Sequence, residues 1–284
     1  MITRIEIDGF KTFQHFALHL APFQVIVGVN GTGKSNLFDA LSLLSRLADT
    51  DLRMAFLDLR GEAGELFTVL PDGSSTHQMK LAVELFVDRH VKDSWGAEAT
   101  LKYTRLRYEL HIERRADEHG LERLYVLYES LKPMARQQDT WMKQHLGKEA
   151  GTWLPRLTGG RSSPFISTSR EQDTHVTTIS LHQNGRSGLQ KSVAEQAEKT
   201  VLSGVYNTSF PHAFAVREEM RSWKFLQLNP QILRQPASML APTVMASDGS
   251  YLPGTLARMQ SEDPYVLADV SRDLANLVTG ILAV

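Results

Sequence analysis

Gly28-Val29-Asn30-Gly31-Thr32-Gly33-Lys34-Ser35 decides how the rest of this sequence is read. Two glycines frame four residues, and a Lys-Ser pair follows, which is the Walker A pattern of a phosphate-binding loop. Each residue type has a reason to be there. Glycines let the backbone wrap and take positive φ, so that consecutive N–H groups converge on phosphate oxygens. Lys34 brings a point charge to the β- and γ-phosphates, and Ser35 offers a hydroxyl to magnesium. The helix that starts there turns its positive end toward the anion. At ordinary residue frequencies a chain of this length matches the pattern by chance about once in a hundred. The loop therefore predicts a nucleoside triphosphate held by Asn30, Gly31, Thr32, Gly33, Lys34, Ser35 and Asn36, with Lys34 in a catalytic role and Ser35 as a metal ligand.

The flanks suit such a loop. Phe23-Gln24-Val25-Ile26-Val27 is a short β-branched run and predicts a strand buried on both faces. After the loop, Leu37, Leu41 and Leu44 recur at helical spacing beside Ala40, Leu47 and Ala48. Upstream, Ile5 and Ile7 alternate with Glu6 and Asp8, and Phe16, Leu18 and Leu20 alternate with His15 and His19. Both stretches have the period of a half-buried strand.

Downstream, Leu52 to Leu59 reads as a short helix in a polar region. Met79 to Val87, Leu106 to Ile112 and Leu124 to Tyr128 then alternate with short connections, which predicts an antiparallel meander rather than βαβ units. In that meander Arg105, Arg107, Glu109, His111 and Glu113 are expected on one solvated face, where Arg105 and Arg107 could alternatively face DNA. Residues 132–175 read as an insertion, helical near Gln138 to Leu146 and otherwise loop. A hairpin with a turn at Asn184-Gly185, a helix over Pro211 to Trp223 and a short strand over Trp223 to Leu228 follow. Asp263-Pro264 starts a last helix with Val266, Leu267, Val270, Leu274, Leu277 and Val278 as its buried stripe and Gly280 at its end.

Composition narrows the classes further. The 284 residues are 42% hydrophobic and 22% charged with a net charge of −1, so no global field draws the chain to nucleic acid or membrane. The chain has no cysteine, which excludes disulfides and thiolate metal sites and suits a reducing cytoplasm. Met1 to Phe10 lacks the apolar core of a signal peptide, and no run reaches the roughly 20 apolar residues of a membrane span. The ten histidines show no metalloprotease spacing. A cytoplasmic location without membrane contact is the expectation.

The loop also resembles a particular family. Gly28 to Asn36, with Asn at the third position and Asn after Lys-Ser, is similar to the loop of the SMC/RecF group of ABC-type ATPases. Ile5-Glu6-Ile7-Asp8-Gly9-Phe10-Lys11-Thr12-Phe13 resembles that group's first strand and turn. Trp223-Lys224-Phe225-Leu226-Gln227-Leu228 looks like the strand carrying its Q-loop glutamine, and Asp248-Gly249-Ser250-Tyr251-Leu252 resembles a segment of RecF-like bacterial ATPases of the AAA_21 type. The resemblance implies an α/β fold: an ABC-type P-loop NTPase head lobe with an added antiparallel β-layer and a helical segment at its C-terminal end. It implies an ATP-binding lobe over residues 1–230 and the start of a helical lobe over 231–284. ATP and Mg²⁺ are the cofactors it implies, with Lys11 as a further nucleotide contact and Gln227 as a catalytic and magnesium-contacting residue.

Two of that group's motifs are missing. Neither a signature loop nor a strand ending in paired acids follows Asp248, and Leu202-Ser203-Gly204-Val205 reads as a turn. The expectation is that the ATPase continues beyond Val284 and that this chain alone turns over very slowly. As a complete family member it would hydrolyse ATP, form a homodimer through the ATP site and act on DNA in repair or phage defence, with an effector nuclease as a further partner. The alternatives are a nucleotide-binding regulatory module that recruits a partner protein without turnover, and, more weakly supported, a small-molecule kinase.

Overall fold

The computed structural model describes residues 1–117, 119–135, 137, 139–149, 154, 163–170, 176–183, 189–236, 238, 242 and 244–277. It divides into two compact units, Met1–Trp223 and Lys224–Val284.

The first unit is organised by one eight-stranded sheet in the order β10-β9-β8-β7-β6-β3-β1-β2, with every described pairing antiparallel. The strands are β1 Ile2–Asp8, β2 Phe16–His19, β3 Gln78–Phe86, β6 Arg105–Ala116, β7 Glu122–Pro133, β8 Ile166–Arg170, β9 Thr177–His182 and β10 Leu189–Val193. A separate hairpin pairs β4 His90–Lys92 with β5 Glu98–Thr100. The helices of this unit are α1 Lys34–Leu47, α2 Leu52–Leu57, α3 Thr140–His145 and α4 Pro211–Arg221.

Alternation decides which face is core. Thr3, Ile5 and Ile7 of β1 are buried, as are Met79, Leu81, Val83 and Leu85 of β3 and Leu106, Tyr108, Leu110 and Ile112 of β6. All of these but Thr3 share one core with Leu37, Ala40, Leu43, Leu44 and Leu47, the apolar stripe of α1, and with Ala213, Val216 and Met220 of α4. The opposite face of β1, β3 and β6 carries a lattice of charges. Arg107 donates to both oxygens of Glu6 at 3.0 and 2.7 Å, Arg4 meets Glu6 at 2.7 Å, and His111 meets Glu109 at 3.1 Å. The Arg107 bond holds the Glu6 carboxyl below the usual range, and the same bond raises Arg107.

Arg105 departs from that face. It is buried, bonded to Asp139 at 2.7 and 3.1 Å and to Thr3 at 2.8 Å, because the N-cap carboxylate of α3 packs over the start of β6. Neither arginine is open to DNA: Arg107 is committed to Glu6, and Glu84 and Glu109 add further acid around it.

Two further expectations in the first unit are corrected. Residues 23–27 form no strand, and Phe23, Val25 and Val27 are 83%, 62% and 86% exposed. A β-branched run becomes a strand only when a neighbour supplies the ladder, and among the described residues no strand pairs with it. Ile166-Ser167-Thr168-Ser169-Arg170, read as loop, is a strand. It has little apolar signal of its own, and its pairing with β9 and the exchange between Thr168 and the Glu129 backbone, at 2.8 Å each way, hold it in the sheet. The turn at Asn184-Gly185 lies outside the described residues.

In the second unit, residues 224–230 are irregular rather than a strand, although Gln227 N–H donates to Ser247 O at 2.8 Å and Asn229 N–H to Asp248 O at 2.9 Å. Its helices are α5 Leu252–Glu262 and α6 Val266–Leu277. Asp263 accepts from Tyr265 N–H at 2.9 Å ahead of α6. The stripe of α6 is half-buried at Val266, Leu267, Val270 and Leu274, whereas Leu277 is 80% exposed. Val278 and Gly280 lie outside the described residues.

Candidate functional site

The loop between Gly28 and α1 is built by backbone conformations that only glycine adopts cheaply. Gly31 and Gly33 have φ of 85° and 87°, and Gly33 is the left-handed residue from which α1 departs. A Cβ on Gly33 would also come within 3.2 Å of the Thr12 hydroxyl. The first helical backbone bond runs from Leu37 N–H to Gly33 O at 3.1 Å, and no side chain caps the helix. The N–H groups of Lys34, Ser35 and Asn36 are therefore left at the helix end, where backbone dipoles favour an anion.

Around this end the predicted residues are placed as follows. Lys34 folds back across its own loop, donating to Gly28 O at 2.7 Å and to Val29 O at 2.6 Å. The Thr32 hydroxyl donates to Val29 O at 3.0 Å, and Asn36 Nδ2 donates to the Thr12 hydroxyl at 3.0 Å. Asn30 and Ser35 are exposed. Lys11 has φ of 48°, its N–H bonds Leu66 O at 2.8 Å, and its ammonium reaches Asp39 at 2.7 Å and Arg60 O at 2.9 Å. Residues 30–36 and Lys11 thus belong to one neighbourhood of the first unit, whereas Gln227 is an exposed residue of the second.

Two residues of the neighbourhood escaped the sequence reading. Asp39, one turn after Ser35 on α1, is buried and accepts from Lys11 and from Arg60. Arg60, in the loop after α2, also donates to Ser35 O at 3.4 Å. No motif links them, since they meet through the fold; the signal available was a buried-side position on α1 occupied by an acid. A cavity of about 580 Å³ opens beside them, lined by Lys11, Thr12, Gln14, Arg60, Gly61, Glu65, Phe67, Thr68 and Val69. That size admits a nucleoside-sized group.

The donor set suits magnesium as it is usually held in phosphate sites. The Ser35 hydroxyl is exposed in the first turn of α1, and among the described residues no cluster of three His, Asp or Glu side chains could cage a metal. Mg²⁺ commonly takes few protein ligands and fills its shell with phosphate oxygens and water.

Residues 1–200 match the family model described as "AAA ATPase domain". The chain belongs to this AAA ATPase family. No curated protein matches it. Among solved structures, the chain is similar to one described under "Structural biochemistry of ATP-driven dimerization and DNA stimulated activation of SMC ATPases", at 20% identity and a TM-score of 0.27, over 44% of this chain and 69% of that one. This AAA ATPase chain is an α/β protein with a large antiparallel sheet and a phosphate-binding loop at the start of α1. Among the described residues, no helix is long and apolar enough to cross a membrane.

Proposed function

We propose that this domain binds Mg·ATP with the phosphates on the loop Asn30 to Asn36 and the nucleoside toward the cavity beside Lys11. The observation that carries the reading is the uncapped N-terminal end of α1, where the first backbone bond starts at Leu37 N–H and Lys34 is the first helical residue. Lys34 exchanges the carbonyls of Gly28 and Val29 for phosphate oxygens when the nucleotide arrives. Ser35 would hold the metal, which would supply charge compensation on the phosphates. The first unit, Met1–Trp223, makes up the ATP-binding lobe.

In this reading ATP closes a homodimer through the loop, and hydrolysis releases it. The cellular setting is DNA repair or phage defence in the cytoplasm, with DNA and an effector nuclease as clients. The family match to an ATPase domain supports the chemistry. The test is light scattering of the protein as its source produces it, with and without Mg·ATP, run beside turnover. Wild type should double in mass with ATP, and Lys34→Ala should stay monomeric and lose turnover. A wild type that stays monomeric at saturating ATP would remove dimerisation from the proposal.

A second reading, a nucleotide sensor without turnover, has its own observation. Asp39, the carboxylate beside the start of α1, is taken up by Lys11 and Arg60 and is not available to activate water. Turnover above the Lys34→Ala background would exclude that reading.

A further inference from the structure

We propose that Asp39 is a positioning residue for nucleotide binding, holding Lys11 and Arg60 as a fixed pair of cations beside the phosphate loop. The inference rests on the nucleotide reading above and adds a residue to it.

Three elements converge on this carboxylate. Lys11, from the turn after β1, reaches one oxygen at 2.7 Å. Arg60, from the loop after α2, spans both oxygens at 2.8 and 2.9 Å, with its Nε at 3.3 Å. The two cations are also tied to each other, because the Lys11 ammonium donates to Arg60 O at 2.9 Å. The Asp39 side chain is 11% exposed, while that of Arg60 is 65% exposed. Such an arrangement does little for a core. It takes a long, mobile guanidinium that stands largely in water and fixes it over Ser35 O at 3.4 Å, at the rim of the cavity. One carboxylate against two cations leaves a net positive charge on the cluster, beside the Ser35 backbone at the start of α1 and a cavity that Glu65 also lines. Preset cations spare the nucleotide the ordering cost of two long side chains.

This role gives a sign that a bland one does not. Asp39→Asn keeps the shape of the side chain and removes a negative charge near an anion site. If Asp39 only shaped the electrostatic field, ATP would bind more tightly to the variant. If Asp39 positions the cations, ATP binds more weakly although the site has become more positive.

Calorimetric titration of Mg·ATP into the full chain decides between them, with Lys34→Ala as the control for the loop itself. The expected results are about tenfold weaker binding for Asp39→Asn, recovery toward wild type in Asp39→Glu, and an unliganded melting temperature of Asp39→Asn close to that of wild type. Unchanged or tighter binding in Asp39→Asn, with Lys34→Ala weakened, overturns the positioning role and leaves the nucleotide reading intact. Full binding by Lys34→Ala overturns the nucleotide reading and this inference with it. Should Asp39→Asn fail to fold, the double variant Lys11→Gln/Arg60→Gln carries the test. A loss of tenfold or more supports the proposal, and wild-type affinity in that variant overturns it.

Discussion

Glu129 gives the sharpest prediction about what holds this domain together. It lies on β7, fully buried, and three donors converge on it: the Tyr108 hydroxyl at 3.0 Å and Leu202 N–H at 2.9 Å on one oxygen, and Val201 N–H at 2.7 Å on the other. The carboxylate thereby ties the turn at Leu202–Gly204 to the sheet. Burial pushes its pKa up from 4.5 to about 7, against the opposing pull of those three hydrogen bonds. Tyr108 is pushed well above its ordinary value by burial and by the same carboxylate. The sign follows from proton uptake. Between 4.5 and about 7 the folded chain binds a proton that the unfolded chain has lost, so stability falls as pH rises through that window. At about 1.4 kcal/mol per pH unit the whole effect is about 3 kcal/mol. In Glu129→Gln the titration is gone, and one amide N–H₂ faces a donor, a constant cost of about 1–3 kcal/mol. Urea denaturation of both proteins at pH 5 and pH 8 reads the difference. Wild type should be ahead at pH 5, and its advantage should shrink by about 2–3 kcal/mol by pH 8. An advantage that is the same at both pH values would refute the reasoning.

Other consequences are equally direct. Breaking the buried Arg105–Asp139 pair by Asp139→Ala should cost about 3–5 kcal/mol in urea denaturation, because it strands a guanidinium that is 4% exposed, whereas Arg105→Met/Asp139→Leu should recover much of the loss. Val27→Ser, at a side chain 86% exposed, should change stability by no more than about 0.5 kcal/mol; a loss above 1.5 kcal/mol would mean that the run before the loop is buried in solution after all. Gly249→Ala should destabilise the second unit by more than about 1 kcal/mol, since φ there is 95° and the new Cβ would come within 2.6 Å of a Leu233 methyl; an unchanged hydrogen-exchange profile across Leu228 to Leu252 would count against this.

What the sequence revealed about this molecule follows the range of the interactions involved. The loop was legible because it is local: glycine conformations, a lysine and a helix start lie within nine residues. The sheet was legible where period-2 alternation is strong, as in Ile5-Glu6-Ile7 and in Leu106 to Ile112. Alternation misplaced Arg105, since its partner Asp139 comes from a helix 34 residues away and turns a nominally solvated position into core. It missed Ile166 to Arg170, whose strand exists through its pairing with β9 and through Thr168 meeting Glu129. The run Phe23 to Val27 erred in the opposite direction, with strong β-branched character and no described neighbour to pair with. Asp39 was signalled only as an acid at a buried-side position of α1, and Arg60 by nothing local. Their relation to Lys11 is made by a turn, a helix and a loop meeting in space.

The central claim is that the loop from Gly28 to Asn36 holds a nucleoside triphosphate, and equilibrium binding of Mg·ATP to wild type and Lys34→Ala tests it most directly. One saturable site per wild-type chain is expected, with binding at least about tenfold weaker in Lys34→Ala and thermal protection that needs correspondingly more ATP in that variant. Equal affinity in the two proteins, or no saturable binding in wild type, would contradict it.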